Sequence, residues 1–223
     1  LSASLPCAAI ILVQPQLQPT KHIQSDIQMN LPANHDVFVH IRLIIGMVIS
    51  LAMARLLNGI AKFVQHPKKI QIYPVHIGWV LTVLLFLVHF WWWEFHLIDV
   101  VTWTFEAYLL IISYAITFFF LSTILFPDHM EEYSGYKDYF TSRQRWFFAI
   151  LASTFIIDLL DGFLKGNAYV LALGPEMPIR NCIYFSVCLA AMFIRNAKFQ
   201  LAFVSCAFLY ELSWIFRLYH TVQ

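Results

Sequence analysis

The chain has 223 residues, a formal net charge of +1, 60% hydrophobic residues and only 12% charged ones. Soluble domains carry about a quarter charged residues, so the deficit points to lipid as the main solvent, and the near-neutral balance gives no bias toward nucleic acid. Four cysteines with neither a CxxC pair nor a zinc spacing argue against a disulfide framework.

Residues 1–36 read as a disordered or non-native N-terminal tail. Leu5–Val13 is a short apolar stretch, and Gln and Pro residues follow it up to Pro19. From there the chain is dominated by six apolar runs, at 37–61, 74–95, 103–126, 146–164, 178–196 and 197–219. A run of about 18–20 apolar residues crosses a bilayer as a helix. In lipid every backbone N–H and C=O must be paired within the chain, so the runs are expected to be helices. The expected fold is all-α: a polytopic bundle of six transmembrane helices forming one domain over 37–223.

Lys and Arg in short loops set the orientation. Lys62, Lys68 and Lys69 follow the first run, and Lys137, Arg143 and Arg145 follow the third. Arg195 and Lys198 mark the last turn. The alternate loops, 96–102 and 165–177, are poor in base. Both termini are therefore expected outside, with Trp91, Trp92, Trp93 and Trp103 at the outer interface and Trp146 at the inner one. Loop 127–145 carries Met130, Tyr133, Tyr136, Lys137 and Phe140 at three- and four-residue steps, as an interfacial connector or docking segment would.

Ser50–Lys62 and Ser153–Lys165 share Ser, Leu-Leu, Gly and Lys in register. The copies end the first and fourth runs, which suggests an inverted three-plus-three repeat, an architecture known among transporters. Arg55, Asn58 and Lys62 lie at i, i+3 and i+7 on one helix face, as do Asp158, Asp161 and Lys165. Gly59 and Gly162 would let a neighbouring helix approach closely.

Charge facing lipid is costly, so ionisable groups within the runs are candidate site residues. Arg55, Asn58, Asp158, Asp161 and Glu211 form the candidate intramembrane set. Arg180 and Arg217 are the bases placed to pair with Asp158 or Glu211. One reading is an acidic cavity that takes in a cation or proton. The other is a set of ion pairs that lock helices together.

His76 and His89 lie thirteen residues apart on the second run, a spacing that could place haem groups. No partner helix supplies matching histidines, so no cofactor is expected. His35, His40, Glu94, His96, Asp99 and His220 could gather on the outer face, but their spacing fixes no metal geometry. Asp158-Leu-Leu-Asp161-Gly162 resembles the opening of the CDP-alcohol phosphotransferase signature. Lys165 and Gly166 stand where that family has Ala-Arg nearby, and no further Asp follows. No activity carries over. His-Glu-x-x-His, Gly-x-Ser-x-Gly and a P-loop are absent from the sequence.

Ala54-Arg-Leu-Leu-Asn-Gly59, the Trp91–Trp93 run and Tyr139-Phe-x-x-Arg-x-Arg-Trp146 resemble stretches of small multi-pass bacterial inner-membrane proteins. That likeness implies a bacterial inner (plasma) membrane location and no particular activity. Three functions remain open at this level. The first is a small cation- or proton-coupled transporter or channel-like protein, completed where necessary by a homodimer. The second is a non-catalytic scaffold or sensor docking a membrane-protein partner through loop 127–145. The third is a membrane-embedded lipid-modifying enzyme, a class that the missing catalytic motifs disfavour.

Overall fold

The structure, a computed structural model, describes residues 21–66, 71–100 and 102–218, with side chains from His35 onward. Contacts divide the chain into two units, Leu1–Ala33 and Asn34–Gln223. The helical bundle and its polar groups belong to the second unit. The tail expected over 1–36 falls mostly outside the described side chains, although the backbone is already helical from Lys21.

The elements are all helical among the described residues: α1 (Lys21–Gln65), α2 (Pro74–Trp93), α3 (Phe105–Leu125), α4 (Tyr136–Leu164), α5 (Asn167–Leu173), α6 (Glu176–Ala191) and α7 (Ala197–Leu218). A 3-10 turn, Glu94–Asp99, continues from α2. Among the described residues five helices are long and apolar enough to cross a membrane: α1 from His35, α2 with its 3-10 turn, α3, α4 and α7. The run expected to span over 178–196 corresponds to α6, which is only 16 residues long. At 1.5 Å per residue it reaches roughly 24 Å, short of a hydrocarbon core of about 30 Å.

Local sequence explains the ends. Pro74 opens α2 at a position where its missing N–H costs nothing and its fixed φ suits a helix. Thr104 caps α3 by accepting from the Ala107 N–H at 3.2 Å. Gly166 and Gly174 bracket α5 with φ of 108° and 70°, which side-chain-bearing residues rarely adopt. At the end of α6, the Gln144 amide donates to the carbonyls of Ala191 (2.6 Å) and Ile194 (2.9 Å). Gln200 donates to the same two carbonyls. These bonds satisfy helix-terminal acceptors that lipid could not.

α1 shows why the fold belongs in a bilayer. Ile41, Ile45, Ile49, Ala52 and Leu56 form its buried face, while Leu43, Met47 and Leu51 on the other side are about 60% exposed. A helix apolar on every face is a membrane span or is buried on all sides, and here the outer face meets no protein.

In the middle of the bundle Trp79 packs edge-on against Phe147, Phe148 and Phe203, with ring centroids 5.2–5.5 Å apart. These contacts tie α2 to α4 and α7. At one end, here the second end, His76 and Tyr136 rings lie 4.7 Å apart, and Phe63 and Phe126 close around them. His76 Nε2 hydrogen-bonds the Leu125 carbonyl at 2.6 Å.

This packing changes the reading of 127–145. Tyr136, Tyr139 and Phe140 are not an interfacial surface. They begin α4 and are buried, and the Tyr139 hydroxyl donates to the Ile124 carbonyl at 2.7 Å. Helical periodicity predicts an aromatic face without saying whether lipid or protein covers it.

Candidate functional site

At the opposite, first end the bundle buries a polar network. It is built from the last turns of α2, α4 and α7, the first turns of α6, and α3 near Tyr114. Among the described residues Glu94, Asp158, Asp161, Lys165, Asn181 and Glu211 are all buried. Isolated charges at such burial would cost several kcal/mol each, so partners decide whether the arrangement is tolerable.

Asp158 is the best-served carboxylate. Its Oδ1 accepts from the Tyr114 hydroxyl at 3.0 Å. Its Oδ2 accepts from Arg180 Nη2 at 2.8 Å and from Asn181 Nδ2 at 2.7 Å. Arg180 Nε also donates to Asn181 Oδ1 at 3.1 Å, and its guanidinium stacks 4.6 Å from the Trp214 ring. Three helices thus meet on one carboxylate.

Glu211 on α7 pairs with His89 Nδ1 on α2 in a short contact. Both side chains are nearly buried, at 5% and 12% exposure. Asp161 and Glu94 share Lys165. The Lys165 ammonium lies 3.1 Å from Glu94 Oε1 and 2.5 Å from Asp161 Oδ2, and Trp93 Nε1 donates to the same Asp161 oxygen at 3.2 Å.

A cavity of about 50 Å³ lies between the first two pairs, lined by His89, Trp93, Tyr114, Asp158, Arg180 and Glu211 with aromatic side chains around them. A water needs roughly 10–15 Å³ on this measure and several polar partners. The cavity therefore has room for a few waters or a desolvated ion, and no room for an organic solute.

The expected site residues separate into two places. Asp158, Asp161 and Glu211 come together at the first end. Arg55 lies at the second end, where it donates to the Phe126 carbonyl at 3.2 Å and hydrogen-bonds Asp128. The Asp128 carboxyl is held below its ordinary value by that hydrogen bond and by the adjacent guanidinium charge. Asn58 is exposed. The two stripes also have unlike partners: Arg55 meets the segment after α3, while Asp161 meets Trp93 at the end of α2 and Lys165 meets Glu94 just after it. One site formed from both stripes is not what the fold builds.

Arg217 also departs from expectation. It does not approach Asp158 or Glu211. It forks onto Glu176 at 2.6 and 2.9 Å near the surface, with Tyr210 donating to the same carboxylate at 2.8 Å. Its place in the last turn of α7 carries it past the buried network. Trp93, placed at the outer interface by its aromatic run, is instead 4% exposed and bonded to Asp161.

Sequence reasoning misses Tyr114 and Asn181 as members of the network, and it names Lys165 and His89 without their partners Glu94 and Glu211. Tyr114 and Asn181 are polar groups inside apolar runs, which is the available signal. Lys165 continues the Asp158–Asp161 face past the end of α4, where Glu94 and Asp161 hold it. His76 and His89, thirteen residues apart, are each engaged by protein groups. Among the described residues no three His, Cys, Asp or Glu side chains gather in a metal-holding arrangement.

No known family, curated protein or solved structure matches the chain.

Proposed function

We propose that this chain is an integral membrane protein that passes protons or a small cation through the first-end cavity. The observation that carries this reading is the cavity itself. It is a space for a few waters inside an apolar bundle, walled by aromatic side chains and by two acid–base pairs, His89–Glu211 and Asp158–Arg180. Ionisable groups are rare in membranes and mark ion or proton pathways by default.

Lys62, Lys137, Arg143, Arg145, Arg195 and Lys198 belong to the second end. The base-rich end faces the cytoplasm, so on this reading the cavity lies toward the outside of a bacterial inner membrane, with both termini on that side. A homodimer would supply the remaining path where one bundle is too small.

Proteoliposomes test the proposal. Purified protein is expected to dissipate an imposed proton, sodium or potassium gradient faster than empty vesicles, and E211Q to lower that flux by roughly tenfold or more in a folded bundle. Wild-type protein that is folded and moves none of the three ions would sink the reading.

A second reading is favoured by the Asp158–Arg180 pair, in which the carboxylate accepts from Tyr114 and Asn181 as well as from Arg180. Charges so fully satisfied also suit a rigid, non-transporting membrane partner or sensor. In that case a stoichiometric membrane protein would co-purify and no flux would be found. The lipid-modifying reading has less support, because Asp158 and Asp161 are each already occupied by a base rather than jointly open to a metal.

A further inference from the structure

Glu94, Lys165 and Asp161 differ from the two pairs at the cavity because their charges do not balance. All three side chains are fully enclosed, at 0% exposure. They supply two carboxylates and one ammonium. Among the described residues Glu94 Oε2 and Asp161 Oδ1 have no hydrogen-bond partner. With both acids ionised the triad would carry a net negative charge shut off from bulk solvent, and two anionic oxygens without a protein donor among the described residues. Buried groups in that position exchange charge for protonation.

We propose that the triad is a proton-binding site, in which Glu94 carries the proton on Oε2 and Asp161 stays ionised against Lys165. One proton taken from water makes the triad neutral, and no other reactant is needed. Donor geometry decides which acid holds it. Asp161 Oδ2 accepts from two donors, Lys165 Nζ and Trp93 Nε1. Glu94 accepts from one, Lys165 Nζ at 3.1 Å. Donors that favour the charged form of a carboxylate are thus concentrated on Asp161.

The surrounding elements do not reverse this choice. On α4, Asp158 adds negative charge, and Arg180 already holds it. Tyr114 on α3 donates its hydroxyl proton to Asp158 and not to the triad. On α1, Arg42 is the other base that acts on Glu94, but its guanidinium stacks on Phe95 at 3.6 Å and Trp91 at 4.6 Å. His96, in the same 3-10 turn as Glu94, is directed to Asp99. His89 is committed to Glu211, and Tyr169 from α5 packs its ring against Trp93 and His96. Trp93 lines the cavity and donates to Asp161, so the triad sits directly behind the cavity wall. Proton binding by the triad is independent of whether that cavity conducts ions.

The test uses the full chain in lipid, with Glu94→Gln and Asp161→Asn. Glutamine has the shape and neutrality of a protonated glutamate. E94Q is expected to unfold within a few degrees of the parent, and D161N to lose far more or to fail to fold. Infrared spectra at neutral pH are expected to show a protonated-carboxyl C=O band in the parent that E94Q removes. If D161N does not fold, the infrared comparison of parent and E94Q still decides. A parent spectrum without that band, or a band that persists in E94Q, overturns the proposal. So does a loss of stability in E94Q equal to that in D161N.

Discussion

Arg180 on α6 donates to Asp158 on α4 at 2.8 Å, and the Asp158 side chain is only 11% exposed. This contact holds the short α6 against α4, a helix of 29 residues. An ion pair so enclosed binds its two helices chiefly by the penalty for breaking it, since either charge left alone would be stranded.

Removing one partner is therefore expected to be severe. Asp158→Asn should lower stability by about 3–5 kcal/mol, the usual cost of stranding a buried charge. Arg180→Met in the same chain should recover part of that loss. Unfolding midpoints of the two single variants and the double variant give the coupling. Additive losses would mean that the pair does not act as a unit.

Glu211→Gln keeps the shape of its side chain and removes the charge facing His89. The expected result is a folded bundle whose ion flux falls by roughly tenfold or more, the effect of raising a barrier by about 1.4 kcal/mol. Flux in vesicles, measured beside circular dichroism of the same preparation, separates this from misfolding.

The paired glycines of α1 and α4 should respond differently to alanine. A Cβ at Gly59 would lie 2.3 Å from the Phe126 ring, which is itself packed against Phe63, His76 and Tyr136. A Cβ at Gly162 would meet the terminal methyl of Met177 at 2.6 Å, on a flexible side chain that can turn away. Gly59→Ala should cost about 1–3 kcal/mol by overpacking, and Gly162→Ala clearly less. Thermal unfolding of the two variants under one condition checks the order.

Acid should weaken the second end through Asp128. Hydrogen bonding to Arg55, and then its charge, hold that carboxyl below its ordinary 3.8. A carboxyl whose folded value is depressed stabilises the fold above its unfolded value, and the contribution is lost as pH falls through the lower folded one. The effect should be small and weaken with added salt, because the carboxylate is exposed. Asp128→Asn should flatten the acid limb of the unfolding midpoint against pH. An unchanged limb would assign that pH dependence to other groups.

How far the sequence can be read varies along the chain. The spans over α2 and α3 follow directly from continuous apolar runs bounded by Pro74 and Thr104. Asp158, Asp161 and Glu211 are legible as site candidates because a charge inside an apolar run needs a reason. Their partners are not. His89 and Glu211 are 122 positions apart, and Glu94 and Lys165 are 71 apart. No local pattern encodes such distances. Arg55 and Asn58 share a face and a motif with the α4 stripe, yet a shared motif does not specify which neighbour a helix meets.

Apolar length and composition alone make this chain helical and suited to lipid, because the need to pair every backbone group within a bilayer leaves few other choices. Tertiary packing settles the rest: α6 falls short of a full span, Tyr136 and Tyr139 face inward, and Arg217 leaves the buried network for Glu176. It also closes two acid–base pairs around one small cavity and sets a third grouping behind its wall. These features depend on how helices distant in sequence rotate and settle against one another. That choice is made by side-chain packing and by the cost of an unpaired buried charge, which no single segment contains.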